Sequence, residues 1–159
     1  MNEIRIYLKE EMTSREAGIG TYYMTFMADG EWREPPESEK WLEIQRKRCR
    51  AFYTKQSRME VMLLTLALRE LKGKSRVEVF CETQYLAAYI RNWMPLWKEK
   101  GWVDSKGEPV APEFVELDAE LQKHELKDIT EGRHEYFTGL ETELHSALHY
   151  PQYGVMLKV

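Results

Sequence analysis

Residues 57–86 read SRMEVMLLTLALRELKGKSRVEVFCETQYL, and the succession of periods within this run decides the fold. Met59, Leu63, Leu66 and Leu71 recur at helical spacing, Met62, Ala67 and Leu68 widen the apolar stripe, and Lys72-Gly73-Lys74 ends it. Arg76-Val77-Glu78-Val79-Phe80-Cys81-Glu82 follows at once as a buried strand. Gln84 to Lys100 is helical again, with Pro95 expected to kink or restart it because proline has no N–H to give. Helix, strand and helix in close succession predict an α/β sheet.

Toward the N-terminus, Ile4 to Leu8 alternates, and Gly20 to Met27 is β-branched and aromatic and closes on Asp29-Gly30, so two strands are expected. Glu31 to Lys40 contains Pro35-Pro36 and reads as a surface insertion in residues 31–40. Glu43 to Tyr53 suits a third strand, on which Arg46, Arg48 and Arg50 share one basic face. Toward the C-terminus, Gly101 to Pro112 is a loop, Glu113 to Lys123 has helical spacing, Leu126 to Thr130 fits a short strand, and Gly139 to His149 fits a last helix stopped by Pro151. Beyond it Tyr153, Val155, Leu157 and Val159 alternate as an extra strand would, expected to dock on the sheet of its own domain or on a second copy or protein partner.

The chain has 159 residues, 43% of them apolar, which suits one domain over residues 1–150 with a tail over 151–159. With 23 Lys+Arg against 27 Asp+Glu the formal charge is -4, which excludes binding of anionic polymers by bulk charge and leaves only a local patch for nucleic acid. The longest apolar stretch, Val61 to Leu68, is far short of the ~20 residues that span a bilayer, and no signal-peptide core is evident, so a cytoplasmic protein without a membrane partner is expected. Cys49 and Cys81 read as reduced, packed thiols, His145 and His149 as surface side chains, and Trp93, Trp97 and Trp102 mostly as packing.

Ser57 to Met62, followed after a helix and a strand by Cys81 to Leu86, resembles the ribonuclease HI family, and the resemblance runs on through Tyr89 to Trp93, Trp97 to Trp102 and Leu117 to Leu121. It implies a five-stranded mixed sheet with helices on both faces. It also implies hydrolysis of RNA in RNA/DNA hybrids by two Mg2+ or Mn2+ ions held among four acids, since hard cations take oxygen ligands and paired ions need anionic bridges. By the resemblance Glu60 and Glu82 take two of those catalytic, metal-binding positions, and Glu143 or Glu141 takes the one on the last helix. Gln56 and Gln84 match positions that read the hybrid's minor groove, Arg91, Lys98 and Lys100 match its grip on the duplex, and Arg133 or His134 matches a mobile-loop histidine.

The resemblance breaks at Lys9, which falls where the first-strand aspartate bridges the metals. At an effective dielectric of ~20, unit charges 4 Å apart interact by ~4 kcal/mol, enough for an ammonium to displace a weakly held magnesium. Glu10 or Glu11 restores an acid if the strand slips, and otherwise Lys9 blocks the site by pairing with the remaining carboxylates. Two functions therefore stand: a metal-dependent endonuclease, and a non-catalytic module of the same fold that binds nucleic acid or a protein.

Overall fold

A computed structural model describes residues 1–33 and 48–149. Six strands form one sheet: β1 (Asn2–Ser14), β2 (Ala17–Ala28), β3 (Glu31–Arg33), β4 (Arg50–Phe52), β5 (Ser75–Cys81) and β6 (Glu125–Glu131). Their order is β3-β2-β1-β5-β6, with β4 also on β2. β1 and β2 are antiparallel, while β5 runs parallel to β1 and β6 parallel to β5. β3 pairs with Phe26–Ala28 and β4 with Gly18–Gly20, so two short strands divide the edge that the sequence assigned to one. The mixed sheet with flanking helices is as expected.

α1 (Gln56–Arg69) buries its Met59, Leu63, Leu64 and Leu68 stripe against Ile6 and Leu8 of β1 and Val77 and Val79 of β5. On the same face lie α2 (Tyr85–Ala88), a π-helical turn (Tyr89–Trp93), α3 (Met94–Glu99) and α4 (Pro112–Leu121), and Met94, Phe114 and Leu117 join this core. The expected break before Pro95 is that π turn, in which the Met94 amide bonds the Tyr89 carbonyl and the chain stays helical. α5 (Phe137–Ala147) covers part of the opposite face, where Leu140 meets Tyr7 and Tyr23, and Leu144 meets Ile19 and Cys49.

The basic third strand needs correction. β4 begins only at Arg50, and Arg48 precedes it, drawn to the end of α1 with its Nε 3.3 Å from Glu70 and its guanidinium over the Tyr22 ring. A surface carboxylate and a ring outweigh strand alternation there, so Arg48 and Arg50 do not present one basic face. Arg46, the 34–40 part of the insertion and the tail from residue 151 lie outside the described residues.

Candidate functional site

Because side chains alternate along a strand, β1 sends Ile6, Leu8, Glu10 and Met12 toward α1, and Tyr7, Lys9 and Glu11 toward α5. Lys9 and Glu10 therefore lie back to back, on opposite faces of the sheet, at the end of β1 that neighbours the end of β5. Glu82, the first residue after β5, stands at the rim between them.

On the α5 face Lys9 is almost wholly enclosed, at 2% exposure. It lies 2.8 Å from Glu82 Oε1 and 3.7 Å from Glu11 Oε2, donates to the Glu10 carbonyl at 2.7 Å, and sits 4.5 Å from the centre of the Phe137 ring. Anion, carbonyl and ring face thus surround it with the contacts a desolvated cation needs.

On the α1 face Glu10 and Glu60 are equally buried, at 2% and 0% exposure. Glu60, one turn into α1, accepts the backbone N–H groups of Glu82 at 3.0 Å and Thr83 at 3.3 Å, together with the Thr83 hydroxyl. Gln56 Nε2 donates to Glu10 Oε1 at 3.0 Å and to Glu82 Oε2 at 2.9 Å, bridging the two faces. Burial, and then the nearby Glu60 charge, push the Glu10 carboxyl well above the usual carboxylate range. Burial raises Glu60 too, although its donors pull it back. Of the two, Glu10 therefore favours its proton the more strongly.

Glu141 and Glu143 are not part of this cluster. The negative charge of Glu143 acts on the Cys49 thiol, which burial chiefly raises to about 11, and the first turn of α5 brings Phe137 to Lys9 where the resemblance implied a carboxylate. Glu11 is shared between Lys9 and His145, whose Nε2 is 3.7 Å away. His134 is locked in place: its Nδ1 accepts the Tyr136 amide at 3.2 Å, which leaves Nε2 to donate to the Leu8 carbonyl at 3.0 Å, and burial lowers its pKa.

Gln84 is exposed just before α2, whereas Gln56 is spent on the two acids. The expected grip is partly neutralised within the chain: Arg91 Nη2 lies 2.9 Å from Asp128, and Lys98 Nζ lies 3.0 Å from Asp118, which leaves the exposed Lys100. Trp97 packs against Phe114 and stacks with the half-exposed Trp93.

No family model matches the chain. Over 73 residues it is 42% identical to a ribonuclease H of Marinobacter nauticus, a match covering 45% of this chain and 50% of that protein. Over 75 residues it is 37% identical to a ribonuclease H of Stutzerimonas stutzeri, covering 46% and 50%. The chain is ribonuclease H-like. It spans about half the length of the curated relatives it matches. The fold agrees over nearly the whole chain: the solved structure of LC9-RNase H1, described as a type 1 RNase H with the type 2 active-site motif, superposes with a TM-score of 0.58 at 15% identity, covering 99% of this chain and 86% of that one. A foamy viral protease-reverse transcriptase in complex with dsDNA gives 0.59 at 9% identity, covering 93% and 94%.

Divalent metal is general in ribonuclease H enzymes, and the donor set of this ribonuclease H-like chain does not fit it. Glu82 is engaged by an ammonium, Glu10 favours its proton, and Glu60 is filled by three donors. Among the described residues no group of three or more His, Cys, Asp or Glu has the geometry to hold a metal ion. Sequence reasoning missed Thr83 and Phe137, and assigned Gln56 to the duplex. Thr83 had a signal, a hydroxyl next to Glu82 at a strand end, whereas Phe137 had none.

Proposed function

We propose that this ribonuclease H-like chain binds nucleic acid duplexes without metal-dependent hydrolysis, its acidic site being closed by Lys9. One observation carries the reading: a lysine at 2% exposure, its ammonium 2.8 Å from Glu82, at the position where the resemblance requires a metal-bridging carboxylate. The ion pair supplies internally the positive charge that Mg2+ or Mn2+ would bring, and a divalent ion entering beside it meets repulsion of several kcal/mol. The acids Glu60, Glu82 and Glu10 are then remnants of an enzyme site in structural use, while Glu143 lies outside it. Duplex binding is supported by the ribonuclease H relatives and by the fold shared with a polymerase solved on dsDNA. In-chain pairing of Arg91 and Lys98 points to modest affinity.

The test combines an RNA/DNA hybrid with Mn2+ titration. Wild-type protein should bind the labelled hybrid equally with and without Mn2+ and leave it intact, while Lys9→Asp should gain Mn2+ affinity visible by calorimetry. Cleavage by wild-type protein that disappears in Glu60→Gln would overturn the proposal in favour of the endonuclease.

A further inference from the structure

A concavity of a different character lies at the other end of the sheet. A cavity of about 310 Å³ opens where the chain leaves α1 and enters β5, and its walls carry Arg69, Lys72, Lys74, Lys123, His124 and Glu120. Four cations thus face one carboxylate in a chain whose total charge is -4. Seven residues of β5 separate this end from Glu82, about 20 Å at the rise of a strand.

Helix dipoles explain only part of this concentration. The C-termini of α1 and α4 meet here, each equivalent to roughly -0.5 of a charge, and cations are favourable at both. With Glu120 included, the negative side reaches roughly -2, which leaves a surplus of about two positive charges. Glu120 is nearly buried and holds the cations in position: its Oε1 is 3.5 Å from Arg69 Nε and 3.2 Å from Lys123 Nζ, and its Oε2 is 3.3 Å from Lys123 Nζ. Lys72 and Lys74 are exposed and have no ion pair among the described residues.

The imidazole adds a donor of fixed tautomer. His124 Nδ1 accepts the Ser75 backbone N–H at 3.1 Å, so the proton of the neutral ring is fixed on Nε2. Chain geometry has therefore chosen the tautomer, and burial favours the neutral form.

We propose that this cavity binds a small oligophosphate anion, with Lys72 and Lys74 as its principal contacts, Arg69 and Lys123 as flanking cations and His124 Nε2–H as a hydrogen-bond donor. Size favours such an anion over a nucleic acid backbone. Protein–duplex contacts commonly engage 6–10 phosphates along an extended surface, whereas these cations converge on one concavity. The site is independent of Lys9 and of the acidic cluster.

Inorganic tripolyphosphate titrated into the full chain at low ionic strength, followed by calorimetry, tests the proposal. Wild-type protein should bind one equivalent. Lys72→Ala with Lys74→Ala should weaken binding at least about tenfold, while Arg15→Ala with Lys106→Ala, an equal charge loss at exposed positions elsewhere, should leave it unchanged. Glu120→Gln should tighten binding severalfold by releasing Arg69 and Lys123, a gain that damaged folding does not produce. ATP in place of tripolyphosphate separates a nucleotide site, which binds ATP more tightly, from one that reads the phosphates alone, and either result supports the proposal. Absence of tripolyphosphate binding, equal losses in both double variants, or an effect of Lys72 and Lys74 confined to duplex affinity would each overturn it.

Discussion

At the scale of single residues, the raised pKa of the Glu10 carboxyl makes the site sensitive to pH. Its folded pKa is raised by burial and by Glu60, while in the unfolded chain it lies near the ordinary glutamate value of about 4.3. Between those values the folded state binds more protons than the unfolded state. Stability from this group is therefore complete below about 4.3 and declines as pH climbs through the folded value, and Glu60 adds to the trend in the same direction. Glu10→Gln supplies a permanently neutral group that still accepts from Gln56. The melting temperature of the variant minus that of wild type should rise between pH 5 and pH 8; a flat difference would mean that Glu10 ionises in place without penalty. Lys9 tests the other face. Lys9→Met keeps the apolar stem but strips Glu82 of its cation, and removal of one partner from a buried pair costs about 3 kcal/mol, measurable by urea unfolding. A loss below about 1 kcal/mol would show that water replaces the ammonium at Glu82.

Among the elements, the contact between β2 and α1 sets the distance from the sheet to Glu60. Gly20 leaves room there for Leu63, because a Cβ at that position would lie 2.7 Å from Leu63 Cδ1 and force that buried side chain to shift. Gly20→Ala should destabilise by about 1–3 kcal/mol through overpacking, read as a lower denaturation midpoint at unchanged slope. Wild-type stability in that variant would show α1 free to shift outward. The helix and strands involved were legible because their apolar periods are long: Met59 to Leu71 and Val77 to Cys81 each outweigh any local ambiguity. The divided edge was not legible, because β3 and β4 have three residues each and the placement of Arg48 depends on Tyr22 and Glu70, distant in sequence. The site divides in the same way. Lys9, Glu60 and Glu82 were identifiable from position along strands and helix, but the face each occupies, the bridge made by Gln56 and the replacement of Glu143 by Phe137 beside Lys9 arise from three-dimensional neighbours.

For the whole molecule, net charge and in-chain pairing together set how strongly an anionic duplex can bind. The exposed helical region from Tyr85 to Glu99 carries Trp93 half exposed, yet its two best-placed cations are already paired with carboxylates of the chain, Arg91 with Asp128 on β6 and Lys98 with Asp118 on α4. Exposed pairs of this kind contribute only about 0–1 kcal/mol to stability, so breaking them leaves the fold intact while freeing two surface cations. Asp118→Asn combined with Asp128→Asn should therefore raise affinity for an RNA/DNA hybrid about tenfold at low salt. Each phosphate contact adds about 0.9 to the slope of log affinity against log salt, so the double variant should also steepen that slope by about 1–2. Fluorescence anisotropy across a salt series measures both quantities. An increase in affinity at unchanged slope would place the effect in general charge rather than in phosphate contacts by Arg91 and Lys98, and unchanged affinity would remove this helical face from the duplex interface altogether.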